Sequence, residues 1–143
     1  MSIWYKQATL EALNAVSKMT MTELLGIEFV EIGDDYLKAT MPVDHRTVQP
    51  YGIMHGGASA ALAESLGSVA GYLCLAGDTK LVVGLEINAN HIRPVTGGLV
   101  AGVARPIHLG NSTQVWEIRI TNQDDKLVCI SRLTLAVLDQ AAQ

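Results

Sequence analysis

The sequence predicts an α+β domain in which one long helix is wrapped by a curved antiparallel sheet. Residues 58–75 contain no proline and are rich in Ala, Leu, Glu and Ser, which is the composition of a helix. Apolar residues cover nearly the whole circumference of this helix, a pattern typical of a buried element. Residues 81–138 then form strands separated by glycine- and asparagine-containing turns. The sheet must curl around the helix to cover it. A single sheet cannot cover all sides, so a second subunit should pack on the exposed remainder with its small residues.

Four elements are predicted before the long helix. Thr9 can cap a short amphipathic helix, with three residues facing inward: Leu10, Leu13 and Val16. A second short helix starts at Thr22 and stops at Gly26. Residues 27–41 form a β-hairpin, and residues 42–52 form the loop that leads to the long helix.

The long helix is expected to end at Gly77. The strands that follow are residues 81–95, 99–108, 114–121 and 127–138. One face of the first strand carries Leu85, Ile87, Ala89 and His91. Because Pro106 has no N–H group, it must lie at a bulge or at an unpaired edge position. Residues 141–143 are expected to fray.

Composition limits the class of protein. A single domain, residues 1–143, can bury roughly 68–70% of the surface of its unfolded chain. The net charge of −4, the pI near 5.4 and the lack of a basic run argue against nucleic-acid binding. The N-terminus lacks the apolar core of a signal peptide and no stretch spans a membrane, so we expect a cytoplasmic protein. Cys74 and Cys129 are then reduced core residues.

A carboxylate lies in the middle of the predicted helix. Glu is rarely buried without a partner or a chemical role. Ser68 shares the face of Glu64, and small residues on or beside that face leave room for another backbone or a ligand: Gly57, Ala60, Ala61, Gly67 and Gly71. At the helix start we expect unpaired N–H groups on Gly56 and Gly57, which can stabilise an oxyanion. The nearby His55 favours a chemical role for Glu64 over that of a surface acid.

Several motifs together resemble one protein family: Met41–Asp44, Gln49–Gly52, His55–Ser59, Ala63–Ser68 and Val83–His91. From Ile3 to Leu138 the chain resembles the hotdog-fold acyl-CoA thioesterases of the phenylacetate-pathway and enterobactin-proofreading type. The resemblance implies the hotdog fold and hydrolysis of acyl-CoA thioesters, with an aromatic acyl group preferred. It also implies a homotetramer of two dimers with active sites at each dimer interface, and neither a metal nor a cofactor.

The same resemblance implies a division of roles. Glu64 either attacks the thioester carbonyl or activates the water that does so. The N–H group of Gly56 polarises the carbonyl oxygen. The side chains that assist this oxyanion site are Gln49 and His55, and those that orient water are Ser68 and His91. In this family the carboxylate meets the oxyanion site of the other subunit, so a monomer should be inactive.

The resemblance also implies a CoA groove. Its residues are Gly84, His91, Ile92, Arg93, Pro94, His108, Leu109, Gly110, Asn111, Ser112 and Thr113. Arg93 is the candidate for a CoA phosphate, and is otherwise a solvated salt-bridge residue. Many relatives carry an arginine in the loop where this chain has Asn111–Thr113, so phosphate binding there would rest on backbone N–H groups and hydroxyls. Val69 would border the acyl pocket and favours a naphthoyl-CoA branch over a carrier-protein branch. His45 is interpreted as solvated surface.

Other functions remain open from the sequence. A proofreading thioesterase would be more active on an aroyl-phosphopantetheinyl carrier protein than on the CoA ester. A non-catalytic acyl-ligand sensor would be expected to lack Glu64 or Gln49, or to carry a DNA-binding appendage. A hotdog hydratase is disfavoured, because hydratases pair an acid with a histidine at a different spacing and lack the His-Gly-Gly start.

Overall fold

A computed structural model describes residues 1–141. The elements are α1 Leu10–Val16, α2 Met21–Leu24, β1 Glu28–Ile32, β2 Leu37–Pro42, α3 Gly56–Leu73, β3 Lys80–His91, β4 Leu99–Leu109, β5 Thr113–Thr121 and β6 Leu127–Asp139. The strands form one antiparallel sheet in the order β1-β2-β4-β5-β6-β3, and α3 packs on β2 through β6. The predicted hotdog fold is confirmed. The expected frayed end includes residues 142 and 143, which lie outside the described residues.

Both ends of α3 differ from the prediction. The helix begins at Gly56 because His55 caps it, with the imidazole Nδ1 accepting the N–H of Gly57 at 2.7 Å. It ends at Leu73, so the predicted stop at Gly77 is wrong. The carbonyl of Leu73 accepts the N–H groups of Tyr5 and Lys6, both at 3.0 Å. The N-terminal segment therefore satisfies the last turn of α3, a contact that no local sequence signal announces.

One side of α3 is packed tightly against the sheet. Gly67 and Gly71 lie on this side, although the sequence placed them beside Glu64. A Cβ added at Gly67 would stand 2.5 Å from Leu133 Cδ2, and one at Gly71 would stand 2.6 Å from Gln114 Oε1. These two glycines therefore let the helix approach the strands of its own chain.

The opposite side of α3 is only partly covered by this chain. We call it the open stripe; its residues are Gly57, Ala60, Ala61, Glu64, Ser65, Ser68, Val69 and Tyr72. They recur at spacings of three and four, and each is half-buried or exposed. This matches the expectation that a single sheet leaves part of the helix, with its small residues, exposed.

Strand β3 forms one edge of the sheet and pairs only with β6. The register shifts between Gly84 and Glu86, so Leu85 is bulged out and is 62% exposed. The predicted shared face is therefore wrong for Leu85, whereas Ile87 and Ala89 pack on the core. Because of the bulge, Gly84 faces α3 together with Ile87 and Ala89.

The remaining expectations are mostly confirmed. The β1–β2 hairpin is present, and Pro106 lies at a bulge beyond the last β2 partner, which is Ala104. The second short helix starts at Met21 and Gly26 follows its end with a positive φ of 73°. Val16 is 74% exposed, so its predicted inward position is wrong. No helix within residues 1–141 has the length and apolar character needed to cross a membrane.

Candidate active site

The start of α3 presents one free backbone donor. The expectation that both glycine N–H groups are free is wrong for Gly57, whose N–H is taken by the His55 cap. The N–H of Gly56 has no hydrogen-bond partner among residues 1–141. Because Nδ1 of His55 accepts a hydrogen bond, a neutral imidazole there carries its proton on Nε2. The helix start therefore offers a free amide and a free imidazole N–H, both suited to an oxyanion.

His91 lies directly against this helix start. It is the last residue of β3, and a Cβ added at Gly56 would stand 2.7 Å from His91 Nε2. Only glycine leaves room for the imidazole at this distance. The structure thus brings together Gly56 and His91, which the sequence placed in one site although 35 residues separate them.

Gln49 belongs to a small hairpin, residues 48–54, that leads into α3. Val48 and Met54 pair as an isolated bridge, and the N–H of Gln49 donates to the carbonyl of Ile53 at 2.9 Å. The side-chain Oε1 of Gln49 accepts the N–H of Tyr51. The amide side chain of Gln49 is therefore held by its own hairpin, with its NH₂ group left as a donor.

A recess of about 430 Å³ joins this hairpin to the end of β3. Its predicted site residues are Gln49, Gly56, His91, Ile92, Arg93 and Pro94. Its other residues are Ile53, Met54, Ser59, Val95 and Val128, which sequence reasoning missed. Val128 comes from the neighbouring strand β6, where its carbonyl accepts the N–H of Ile92 at 2.7 Å. Strand pairing places it there, and no sequence motif marks it.

Arg93 is exposed and its orientation is fixed by the backbone. Its Nη1 donates to the carbonyl of Leu127 at 2.8 Å. It forms no ion pair with the described residues, so the alternative of a surface salt bridge is wrong. The remaining guanidinium N–H groups are available to an anion.

Glu64 lies on the open stripe and is half-buried rather than enclosed. Its carboxylate packs over the Cα of Gly84, where any larger side chain would collide with Oε1. The carboxylate makes no hydrogen bond or ion pair with residues 1–141. Ser68 follows one turn later on the same stripe, and Val69 beside it is half-buried against the core. Glu64 is therefore an accessible acceptor with no structural partner in the described part of its own chain.

The free amide and the carboxylate are far apart within one chain. Gly56 and Glu64 are separated by eight residues of α3, a distance on the order of 12 Å along the helix axis. A thioester carbonyl group with its attacking atom spans only a few ångströms. One chain therefore does not bring the oxyanion site and the carboxylate to the same substrate.

The predicted CoA loop, residues 108–113, lies at the other end of the molecule. Leu109, Gly110 and Asn111 line a groove of about 590 Å³ together with Cys74 and Leu75 at the end of α3. Eighteen residues of helix, roughly 27 Å, separate this groove from the recess at Gly56. His108 is exposed and its imidazole lies against Gly110. The structure does not bring this loop to His91–Pro94 within one chain.

Ion pairing and burial shift the pKa values of one carboxyl group and two thiols outside the recess. Hydrogen bonds from Arg46 lower the pKa of Asp44 to about 2, which keeps the turn before the hairpin ionically paired. His45 is exposed, as predicted. Burial raises the pKa of the Cys74 thiol to about 12 and also raises that of Cys129. Both thiols are free.

The chain is similar to proteins of known class. A profile of the thioesterase superfamily matches residues 51–129. The chain is 59% identical to 1,4-dihydroxy-2-naphthoyl-CoA hydrolase of Escherichia coli K12, over 95% of this chain and 99% of that protein. It is 57% identical to the proofreading thioesterase EntH of Cronobacter turicensis, over 95% and 98% of the two chains.

Solved structures agree with these similarities. A thioesterase from Haemophilus influenzae superposes with a TM-score of 0.95 and 52% identity, covering 99% of this chain and 98% of that chain. A mutant thioesterase from Pseudomonas aeruginosa gives the same TM-score and identity, covering 97% of this chain and 100% of the other. The similarity thus includes the helix start, the open stripe and the edge strand described above.

Proposed function

The chain belongs to the thioesterase superfamily and is a thioester hydrolase, and we propose that it hydrolyses aroyl-CoA thioesters such as 1,4-dihydroxy-2-naphthoyl-CoA. The identity of 59% to the E. coli hydrolase supports this acyl group and a place in menaquinone biosynthesis. The observation that carries the chemistry is the N–H of Gly56, which has no partner among residues 1–141 and lies between His55 and His91 at the positive end of α3.

The reaction follows from these groups. The thioester carbonyl oxygen accepts the N–H of Gly56, assisted by the Nε2–H of His55 and the NH₂ group of Gln49. In one route Glu64 takes a proton from a water molecule as the water oxygen adds to the carbonyl carbon, and the C–S bond then breaks. In the other, the Glu64 carboxylate adds to that carbon, the C–S bond breaks to leave an anhydride, and water hydrolyses the anhydride to restore Glu64. In both routes the CoA thiolate gains a proton that comes from water, and the products are the carboxylic acid and CoA. Ser68 and His91 orient the water.

The site is completed by a second chain. Because Gly56 and Glu64 of one chain lie about 12 Å apart, the carboxylate that serves a given Gly56 comes from a partner. Two copies of α3 packed antiparallel, with a two-fold axis near Ala60, place each Gly56 beside the other chain's Glu64. Gly57, Ala60 and Ala61 on the open stripe allow the close approach that this packing needs.

The same antiparallel dimer brings the two parts of the predicted CoA groove together. An antiparallel partner brings its loop 108–113, at the end of its α3, towards the start of the first α3. The exposed edge of β3 can pair with its own copy across the same axis. His91–Pro94 of one chain and the loop of the other then line one groove. We infer a dimer of this type, and a homotetramer built from two such dimers.

Mixing inactive variants tests the shared site. Glu64→Ala and His55→Ala homodimers should both be inactive, and a mixed dimer should contain one intact site. With random subunit exchange, half of the dimers are mixed, so about a quarter of the parental activity should return. The control is a mixture of Gln49→Ala with His55→Ala, which damages the same half of each site and should restore nothing. Subunit exchange without recovery in the first mixture would refute the shared site.

A second candidate function is proofreading of acylated carrier proteins, favoured by the 57% identity to the Cronobacter proofreading thioesterase. The two candidates share the chemistry and differ in what carries the phosphopantetheine arm. Comparing kcat/KM for one aroyl group on CoA and on a carrier protein decides between them. A higher value on CoA supports the main proposal, and a higher value on the carrier protein supports the second.

A further inference from the structure

A large aromatic side chain stands almost fully exposed beside the candidate site. Tyr51 is 90% exposed and lies at the tip of hairpin 48–54, between Gln49 and Ile53, which both line the recess at Gly56. Its hydroxyl makes no hydrogen bond with residues 1–141. A tyrosine offers an apolar ring and a polar hydroxyl, and its two sequence neighbours in the hairpin line the recess, so its ring is within reach of a ligand bound there.

The hairpin presents Tyr51 on a rigid support. The N–H of Gln49 donates to the carbonyl of Ile53 at 2.9 Å, and that of Gly52 donates to the carbonyl of Gln49 at 2.8 Å. Beyond the tip, the N–H of Met54 donates to the carbonyl of Val95 at 2.8 Å. Because these bonds fix the backbone, placing the Tyr51 ring against a ligand costs little ordering entropy.

The proposed dimer determines what faces this side chain. In the partner's α3, Val69 lies five residues beyond Glu64, about 7.5 Å further along the axis. That displacement carries it past the start of the first α3, towards the segment that precedes Gly56 and includes hairpin 48–54. In this dimer, Tyr51 of one chain and Val69 of the other border the space beside the thioester carbonyl.

The two sides of this space differ in polarity. Val69 offers an apolar surface and no hydrogen-bonding group. On the hairpin, the Oε1 of Gln49 is already engaged by the N–H of Tyr51. The phenol of Tyr51 is both a donor and an acceptor, and it is the free polar group at the tip. A ring hydroxyl on the acyl group would find its partner there.

We propose that Tyr51 determines specificity: its ring packs on the aromatic acyl group, and its hydroxyl hydrogen-bonds to a hydroxyl on that group's ring. The inference rests on the proposed aroyl-CoA hydrolysis and deepens it. It adds the residue that distinguishes a hydroxylated aroyl group from a plain aroyl or aliphatic one.

A matched pair of substrates tests this role. The ratio of kcat/KM for 4-hydroxybenzoyl-CoA to that for benzoyl-CoA is measured in the parent and in Tyr51→Phe. The intrinsic effect of the hydroxyl on the thioester is the same in both proteins and cancels. We expect the ratio to fall by roughly 3- to 10-fold in Tyr51→Phe, the size of one net hydrogen bond. The control is Tyr36→Phe, which removes a tyrosine hydroxyl at the β1–β2 turn, where it donates a hydrogen bond to Glu31. This variant should leave the ratio unchanged.

A second variant separates the ring from its hydroxyl. Tyr51→Ala should lower kcat/KM for both aroyl substrates by about 10-fold or more while sparing acetyl-CoA, which has no ring to pack. An unchanged ratio in Tyr51→Phe, with parental activity on both substrates, would overturn the inference and leave the proposed function intact. A parent that hydrolyses neither aroyl-CoA would instead overturn both.

Discussion

Substituting Gly84 with alanine should disable Glu64 without unfolding the protein. Gly84 lies on β3 beneath the carboxylate, and an added Cβ would fall well inside van der Waals contact with Oε1 of Glu64. Ordinary contacts of a Cβ begin at 3.4 Å, so the carboxylate must withdraw by about 1 Å. A displacement of that size at a reacting group can cost on the order of 10²-fold in rate.

Although activity should fall, the stability of the Gly84→Ala fold should be unchanged or slightly higher. The backbone of Gly84 is that of an ordinary strand, with no positive φ, and alanine there reduces the entropy of the unfolded chain. Glu64 is half-buried on a flexible side chain, so it can move aside at little cost. We therefore expect an unchanged or slightly higher melting temperature together with a fall in kcat of up to about 10²-fold.

Single-turnover hydrolysis of an aroyl-CoA, beside thermal melting, measures both quantities. Gly97→Ala is the matched control, because a Cβ there meets nothing within 4 Å. The double variant with Glu64→Gln decides the cause: if Gly84→Ala acts through the carboxylate, it should slow Glu64→Gln no further. Additive losses, or a rise in KM alone, would refute this reasoning and point to the CoA groove instead.

Four further outcomes are expected. Glu64→Gln should lower kcat by roughly 10² or more with KM little changed, and should melt no earlier than the parent; a destabilised but active variant would contradict the catalytic role. Ser68→Ala should slow turnover less than Glu64→Ala, because orienting water is a smaller task than supplying a base or nucleophile, and equal losses in folded proteins would contradict this. With a pKa of about 12, Cys74 should react with iodoacetamide at pH 8 on the order of 10³-fold more slowly in the native protein than in urea, since only the thiolate reacts; equal rates would disprove its burial. Gly71→Ala should destabilise the fold by about 1–3 kcal/mol in urea titrations, because the new Cβ meets Leu135 and Gln114, whereas an unchanged midpoint would show that the core yields.

Local sequence patterns were sufficient for most of the architecture. The helix-forming composition of residues 58–75 and the alternation of apolar and polar residues after residue 81 predicted the order of elements. Both signals depend only on residues that are close in the sequence. Pro106 was placed at a bulge for the same reason, since it lacks an N–H. The error at the C-terminal end of α3 involves a partner distant in the chain, Tyr5, whereas that at the N-terminal end came from the adjacent cap, His55.

The candidate site was predictable in its members but not in its geometry. His55, Gly56 and Glu64 were recognised because their residue types and motif suit thioester chemistry. That His55 takes the Gly57 N–H and leaves Gly56 free depends on the cap conformation, which spacing alone does not specify. The bulge at Leu85 likewise turns Gly84 towards Glu64, and a single inserted residue in a strand pairing leaves little trace in the alternation.

The sequence by itself determined the fold class, the long helix and the chemical identity of the candidate residues, because side-chain chemistry and short-range periodicity are properties of the chain. Only the tertiary structure decided which face of α3 stays open. That face is defined by what the sheet of the same chain fails to cover: the sequence placed Gly67 and Gly71 beside Glu64, whereas packing against the sheet puts both glycines on the buried side. The separation of Gly56 from Glu64 is a consequence of the rise of the helix. This distance, together with the open stripe, is what supports the proposal that a second chain completes the site.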